Sequence, residues 1–244
     1  MQTYIQRTMP LVTKPIVYEL GIETTKLISG MQDTLRGIVW TDGEANIDTE
    51  YSDLACKCCT SAWETIQERY PLYNQTSISC VKPDINITFT YPGGTTLKEK
   101  IELKSSKSKK MPGSTIQKLD INQTLIYCLR PSAPSELYKL RCSQYYSAMG
   151  GSETDLFQDR TPRPVINFDR MNDIDDIAPF SEKDKGDWVR YYAECGLHRI
   201  DGTTVCQPSW QDDMVKIMKE KIIEDYVSCT SEQQFRIDKA SLFK

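Results

Sequence analysis

A chain of 244 residues and 28.0 kDa with 39% hydrophobic residues has enough apolar material for one large globular domain, which excludes disorder along its whole length. Its 30 basic and 34 acidic residues give a formal charge of −4, so affinity for nucleic acid has to come from local clusters of lysine and arginine. The Met1–Arg7 start lacks the apolar core of a signal peptide, and nowhere do about 18 apolar residues run together as a membrane span requires, so the expectation is a soluble, intracellular protein.

In chain order, the first elements are short apolar runs over 15–20 and 35–40, separated by a segment with helical spacing at Leu27, Ile28 and Met31; the residues leave their type open. From Asp48 to about Arg69 the pattern is helical. Asp48 caps, Glu50 and Asp53 suit the first turn, and Tyr51, Leu54, Ala55, Cys58, Cys59, Ala62, Trp63 and Ile66 form an apolar stripe that Pro71 closes. The segment 80–91 then alternates, with Ile85, Ile87, Phe89 and Tyr91 on one face and Asp84, Asn86, Thr88 and Thr90 on the other, as a half-buried strand does. Pro92-Gly93-Gly94-Thr95 supplies turn chemistry, and 97–104 alternates again, with Ile101 and Leu103 facing away from Glu102 and Lys104.

The two strands form an expected hairpin. Residues directly opposite each other in an antiparallel pair share a face, so Asp84 lies opposite Glu102 or Lys104, and either register centres the turn on Gly93 or Gly94. Cβ atoms across such a pair are about 4.5–5.5 Å apart, which brings the carboxylates of Asp84 and Glu102 within reach of one ion. Carboxylate oxygens are the ligands that a hard cation such as Mg²⁺ takes. A polar, basic loop is expected over 105–113, then a short strand over Thr124–Leu129 and an irregular, proline-punctuated middle with an acidic turn-like stretch over 173–179. Helical spacing returns weakly over 183–195 and clearly over 210–227, where Met214, Ile217, Met218 and Ile222 read as core, as does Trp63.

Other chemistries find little support. The single histidine, His198, limits Ser-His or Cys-His catalysis to one candidate base, and Cys195, His198 and Cys206 lack the second half of a zinc pattern. No phosphate-binding glycine loop is present. Nine cysteines, an odd count with Cys56, Cys58 and Cys59 crowded on one helix, argue against a disulfide framework, and sequons at Asn74, Asn86 and Asn122 mean little without an export signal.

Pro83-Asp84 followed by Glu102-Leu103-Lys104 resembles the PD-(D/E)xK nuclease superfamily, whose best-known members are type II restriction endonucleases; the resemblance covers the segment from the Asp48 helix to Leu129. It implies an α/β fold, a restriction-endonuclease-like central mixed sheet flanked by helices. It also implies that Asp84 and Glu102 coordinate Mg²⁺, with Mn²⁺ as a substitute and the Leu103 carbonyl as a further ligand, and that Lys104 orients the nucleophile or stabilises the transition state. Members of this superfamily often add an acidic residue from the preceding helix; Glu50 is the candidate and Glu44 the runner-up, while the plain reading of Glu50 is a first-turn residue complementing the helix dipole. Lys100, Ser105, Ser106, Lys107, Lys109 and Lys110, with Lys98 and Lys118, gather around the site and suit a phosphate backbone.

The reading is one nuclease domain over 1–244, with a core over 45–130 and a C-terminal part, 131–244, for DNA recognition or dimerisation. Its expected activity is Mg²⁺-dependent cutting of double-stranded DNA, in a sequence-specific type II manner, by a homodimer whose two-fold axis matches the duplex. The alternatives are a structure-selective or repair nuclease, and a non-catalytic DNA-binding module with the same fold.

Overall fold

The computed structural model describes residues 13–40, 49–73, 75–81, 84–92, 94–114, 119–150, 164–184 and 210–228. The chain divides into two compact units, Met1–Lys185 and Gly186–Lys244. The first is mixed α/β. Helices α1 (Lys14–Ser29), α2 (Gln32–Gly37) and α3 (Thr49–Ile66) lead through 3₁₀ turns at Gln67–Arg69 and Pro71–Tyr73 into strands β1 (Gln75–Val81), β2 (Asp84–Thr90), β3 (Thr96–Ser106), β4 (Lys110–Pro112), β5 (Thr124–Leu129) and β6 (Lys139–Gln144). A short helix α4 (Tyr145–Ala148) and strand β7 (Val165–Asn167) follow. The described part of the second unit is helix α5 (Trp210–Ser228).

The main sheet has five strands in the order β1-β2-β3-β5-β6, and only β3 and β5 run parallel. Alternation explains its layers. Ile85, Ile87, Phe89, Ile101, Leu103, Ile126, Cys128, Leu140 and Cys142 fall on one face and are buried together with the apolar sides of α1 and α3. Trp63 of α3 sets its ring edge-on to Phe89 at 5.8 Å. Polar residues in this layer are satisfied locally: Thr24 and Thr25 donate to the carbonyls of Leu20 and Gly21 one turn back. Burial pushes the thiols of Cys59 and Cys142 up to about 12, so neither is a nucleophile at neutral pH.

Gly21 is where α1 touches the sheet most closely. A Cβ placed there meets Thr124 Cγ2 at 2.5 Å and Cys142 Sγ at 3.1 Å. Helix propensity alone favours alanine over glycine by about 1 kcal/mol, whereas overpacking costs about 1–3 kcal/mol. Gly21→Ala is therefore expected to lower stability in urea unfolding, and adding Thr124→Ser, which removes Cγ2, to restore part of it; a more stable Gly21→Ala protein contradicts the close approach.

The opposite face of the sheet carries Asp84, Glu102 and Lys104 and, among the described residues, is covered over its β5–β6 half by a second layer. There β4 and β7 pair as a two-stranded antiparallel sheet, Phe168 packs edge-on against Tyr127 at 5.5 Å, and Arg141 reaches the Phe168 carbonyl at 3.0 Å. Tyr127 donates to the Ser108 carbonyl at 2.6 Å; burial pushes its phenol up to about 12, so it remains a neutral donor.

Side-chain amides hold the stretch that follows. Gln144 bonds both the N–H and the C=O of Ser181, at 2.9 and 2.8 Å, and Asn122 does the same for Lys183, at 2.8 Å each. Ser181–Asp184 is thus tied to the sheet and is not helical, while the remainder of the weak helical spacing over 183–195 lies outside the described residues.

Several expectations are revised. The ambiguous first segment is helical, because Ile16, Val17, Leu20 and Ile28 bury one face and Pro15 sits in the first turn, where its missing N–H costs no helix bond. The basic stretch over 105–113 is not simply a loop: β3 continues to Ser106 along β5, and Lys110–Pro112 forms β4. The α5 positions Ile217, Met218 and Ile222, expected in a core, are exposed. No described helix is long and apolar enough to cross a membrane.

Candidate active site

The hairpin places the site. Six residue pairs from Ile85↔Ile101 to Thr90↔Thr96 fix its register, which, carried one residue beyond the paired segment, puts Asp84 level with Glu102. The turn over 91–95 is closed by the Tyr91 N–H to the Thr95 carbonyl at 2.8 Å and the Gly94 N–H to the Tyr91 carbonyl at 3.0 Å. Gly94 has a φ of +86°, a conformation that strains residues with a Cβ, so the glycine is what permits this register.

Asp84, Glu102 and Lys104 share the polar face of the sheet, while Ile85, Ile101 and Leu103 point to the helices. Glu102 is the buried member. Its side chain is 3% exposed and meets Lys104 Nζ at 2.8 Å, with Lys104 itself 15% exposed. Ser114 Oγ lies 3.0 Å from both carboxylate oxygens and donates to them, and the Ser114 N–H donates to the Tyr145 hydroxyl. Asp84 is more accessible. Its Oδ2 pairs with Lys100 Nζ at 3.1 Å, whereas Oδ1 is buried and has no hydrogen-bond partner among the described residues.

The structure does not bring Glu50 to this face. Its carboxylate accepts the Val39 N–H at 3.0 Å, and α3 packs on the other side of the sheet through Trp63 and Phe89. Glu44 and Lys118 lie outside the described residues, as do Cys195, His198 and Cys206. Among the described residues no group of three or more His, Cys, Asp or Glu is placed to hold a metal ion. The described cysteines Cys56, Cys58, Cys59, Cys80, Cys128 and Cys142 are thiols.

Two carboxylates with no third still suit one class of ion. Mg²⁺ keeps several waters and takes only one or two protein carboxylates, and an all-oxygen donor set with a buried Asp84 Oδ1 that has no partner among the described residues fits that demand. The Leu103 carbonyl, between Glu102 and Lys104 on β3, is the further oxygen on the same strand.

The basic residues divide between the two sides of the site. Lys100 is one rung from Asp84 along the hairpin. Ser105 and Ser106 end β3 beside Cys128 and Leu129, and Ser106 Oγ accepts the Ser108 N–H at 2.9 Å in the bend that carries Lys107. Lys109 pairs with Asp169 at 3.0 Å, and Lys110 enters the β4–β7 ladder opposite Asn167. Ser114, Tyr145 and Gln123 are the site-side residues that sequence patterns do not signal, because no local motif links them to Glu102.

Comparison of the chain with protein-family models, curated proteins and solved structures gives no match. The geometry of the hairpin face is what a functional reading rests on.

Proposed function

We propose that this chain is a metal-dependent endonuclease that hydrolyses DNA phosphodiester bonds, with Mg²⁺ as its ion, Mn²⁺ as a substitute and a restriction-endonuclease-like fold. The observation that carries this reading is the hairpin register, which puts Asp84 level with Glu102, with Lys104 next on the same face and one Asp84 oxygen buried without a partner among the described residues. A mixed five-stranded sheet with the paired strands at its centre agrees with that fold.

In this reading Asp84, Glu102 and the Leu103 carbonyl would hold the ion. An ion held by these oxygens would supply Lewis acidity, acidifying a water and offsetting charge on the scissile phosphate. Lys104 presents a fixed positive charge beside Glu102, where it stabilises charge that develops on a phosphate oxygen. Ser114, itself fixed by Tyr145, holds the Glu102 carboxylate so that its orientation does not change as substrate arrives. Sequence-specific cutting by a homodimer belongs to the same proposal, since a two-fold pair of sites matches the two antiparallel strands.

A second reading has one observation in its favour. Both carboxylates are ion-paired with a lysine of β3, as they are in a purely structural charge network, which suits a non-catalytic DNA-binding module. Incubation of the purified chain with plasmid and defined duplex DNA separates the two. Cutting with Mg²⁺ or Mn²⁺ that stops on addition of EDTA is the expected result; DNA binding without cutting under either ion favours the module. Discrete fragments indicate site specificity, whereas a smear or junction-only cutting indicates the structure-selective form.

A further inference from the structure

Beyond the carboxylate rung, the polar face of the hairpin opens into a cavity of about 450 Å³ lined by Ser79, Asn86, Thr88, Lys98, Lys100 and Gln123. The register places these residues in sequence. Asn86 stands opposite Lys100 and Thr88 opposite Lys98, one and two rungs from Asp84 and Glu102, and Ser79 of β1 stands opposite Asn86. Each rung along one face advances about 6.8 Å, the span of a single nucleotide of extended backbone.

The chemistry of the lining asks for an anion with acceptor oxygens. Gln123 is buried, with 6% of its surface exposed, and its Nε2 has no hydrogen-bond partner among the described residues. A buried donor without an acceptor is a standing cost, and a ligand oxygen removes it. Lys98 is exposed and has no carboxylate partner among the described residues. Two carboxylates also border the cavity, but both are engaged: Glu99 accepts from Thr13 at 2.6 Å, and Asp120 is ion-paired with Lys14 and accepts the Asn122 N–H at 3.0 Å. None of the described lining residues is aromatic, and their hydroxyl, amide and ammonium groups match phosphate and sugar better than a stacked base.

We infer that this cavity is a phosphate subsite for the DNA strand being cut, holding the phosphate adjacent to the scissile one between Lys98, Lys100 and the Gln123 amide. The inference rests on the nuclease reading for the identity of its ligand. Thymidine 3′,5′-bisphosphate, which carries two phosphates one nucleoside apart, is the probe, titrated in EDTA by ¹⁵N NMR beside inorganic phosphate.

The expected result is movement of the Gln123 side-chain amide signals and an affinity about tenfold weaker in both Lys98→Ala and Gln123→Leu, as loss of a hydrogen bond to a charged group gives. Gln123→Leu is also expected to unfold no earlier in urea than the natural chain, since its Nε2 has no hydrogen-bond partner to lose among the described residues. Unchanged affinity in both variants overturns the subsite. Inorganic phosphate bound as tightly as the bisphosphate overturns its assignment to a polynucleotide. Failure to cut DNA under Mg²⁺ or Mn²⁺, with the variant effects intact, removes the nuclease reading and leaves a phosphate site.

Discussion

Asp84→Asn is expected to reduce DNA cutting by at least about a hundredfold while leaving the fold and the affinity for DNA in EDTA near those of the natural chain. The substitution keeps the size of the side chain and removes its charge. The Asp84–Lys100 pair is partly exposed, and pairs of that kind contribute little to stability, so no unfolding accompanies the change. Oδ1 has no partner to lose among the described residues. Glu102→Gln is expected to show the same loss, since Ser114 can still donate to the remaining amide oxygen. Cutting rates under single-turnover conditions, read beside circular dichroism and DNA affinity, check both. Cutting at the natural rate by Asp84→Asn removes this residue from the site.

Lys104→Met is expected to have the largest effect on stability, about 3–5 kcal/mol, because it leaves the Glu102 carboxylate buried without its countercharge. The side chain of Glu102 is 3% exposed, so water cannot take over, and the single Ser114 hydroxyl satisfies only part of the charge. The double variant Glu102→Gln with Lys104→Met removes both charges and is expected to recover most of the loss, because a neutral pair of similar size avoids the desolvation cost altogether. Urea midpoints of the two single variants and the double variant form the test. Equal stability of Lys104→Met and the natural chain means that Glu102 is hydrated in solution. The comparison also guards the catalytic reading, since any fall in cutting by a Lys104 variant has to be read on protein that is folded.

The hairpin was legible because one face of each strand is apolar and one polar, and because glycines stand where the register needs a turn. Helix α3 was legible for a similar reason: its apolar stripe continues for 18 residues without a break. Strand β1 was not. Ser77, Ser79 and the exposed Gln75 and Val81 leave it only a half-buried face at Thr76, Ile78 and Cys80, as suits a strand at the edge of the described sheet. Strand β6 hid for a different reason. Its Arg141 and Ser143 lie under Phe168 and Asn172, so polar residues occupy positions that a sequence pattern assigns to solvent.

At the site, alternation along two strands was enough to align Asp84, Glu102 and Lys104. Nothing local marks Ser114 as the partner of Glu102, or Gln123 as a buried donor. Both depend on the parallel β3–β5 pairing, whose crossover no short-range pattern specifies. Glu50 shows the converse error, since helical spacing can place a carboxylate near the start of a helix but cannot say which layer that helix joins.

The β3–β5 pairing also means that the site draws on more than the hairpin. Asp84 and Glu102 belong to one tight hairpin, a closure that costs little chain entropy. Ser114, which bonds Glu102, lies in the crossover between β3 and β5, and Tyr145, whose hydroxyl accepts the Ser114 N–H, follows β6. The alignment of the two carboxylates is thus set within one hairpin, whereas the orientation of the buried one draws on Tyr145, 31 residues beyond Ser114.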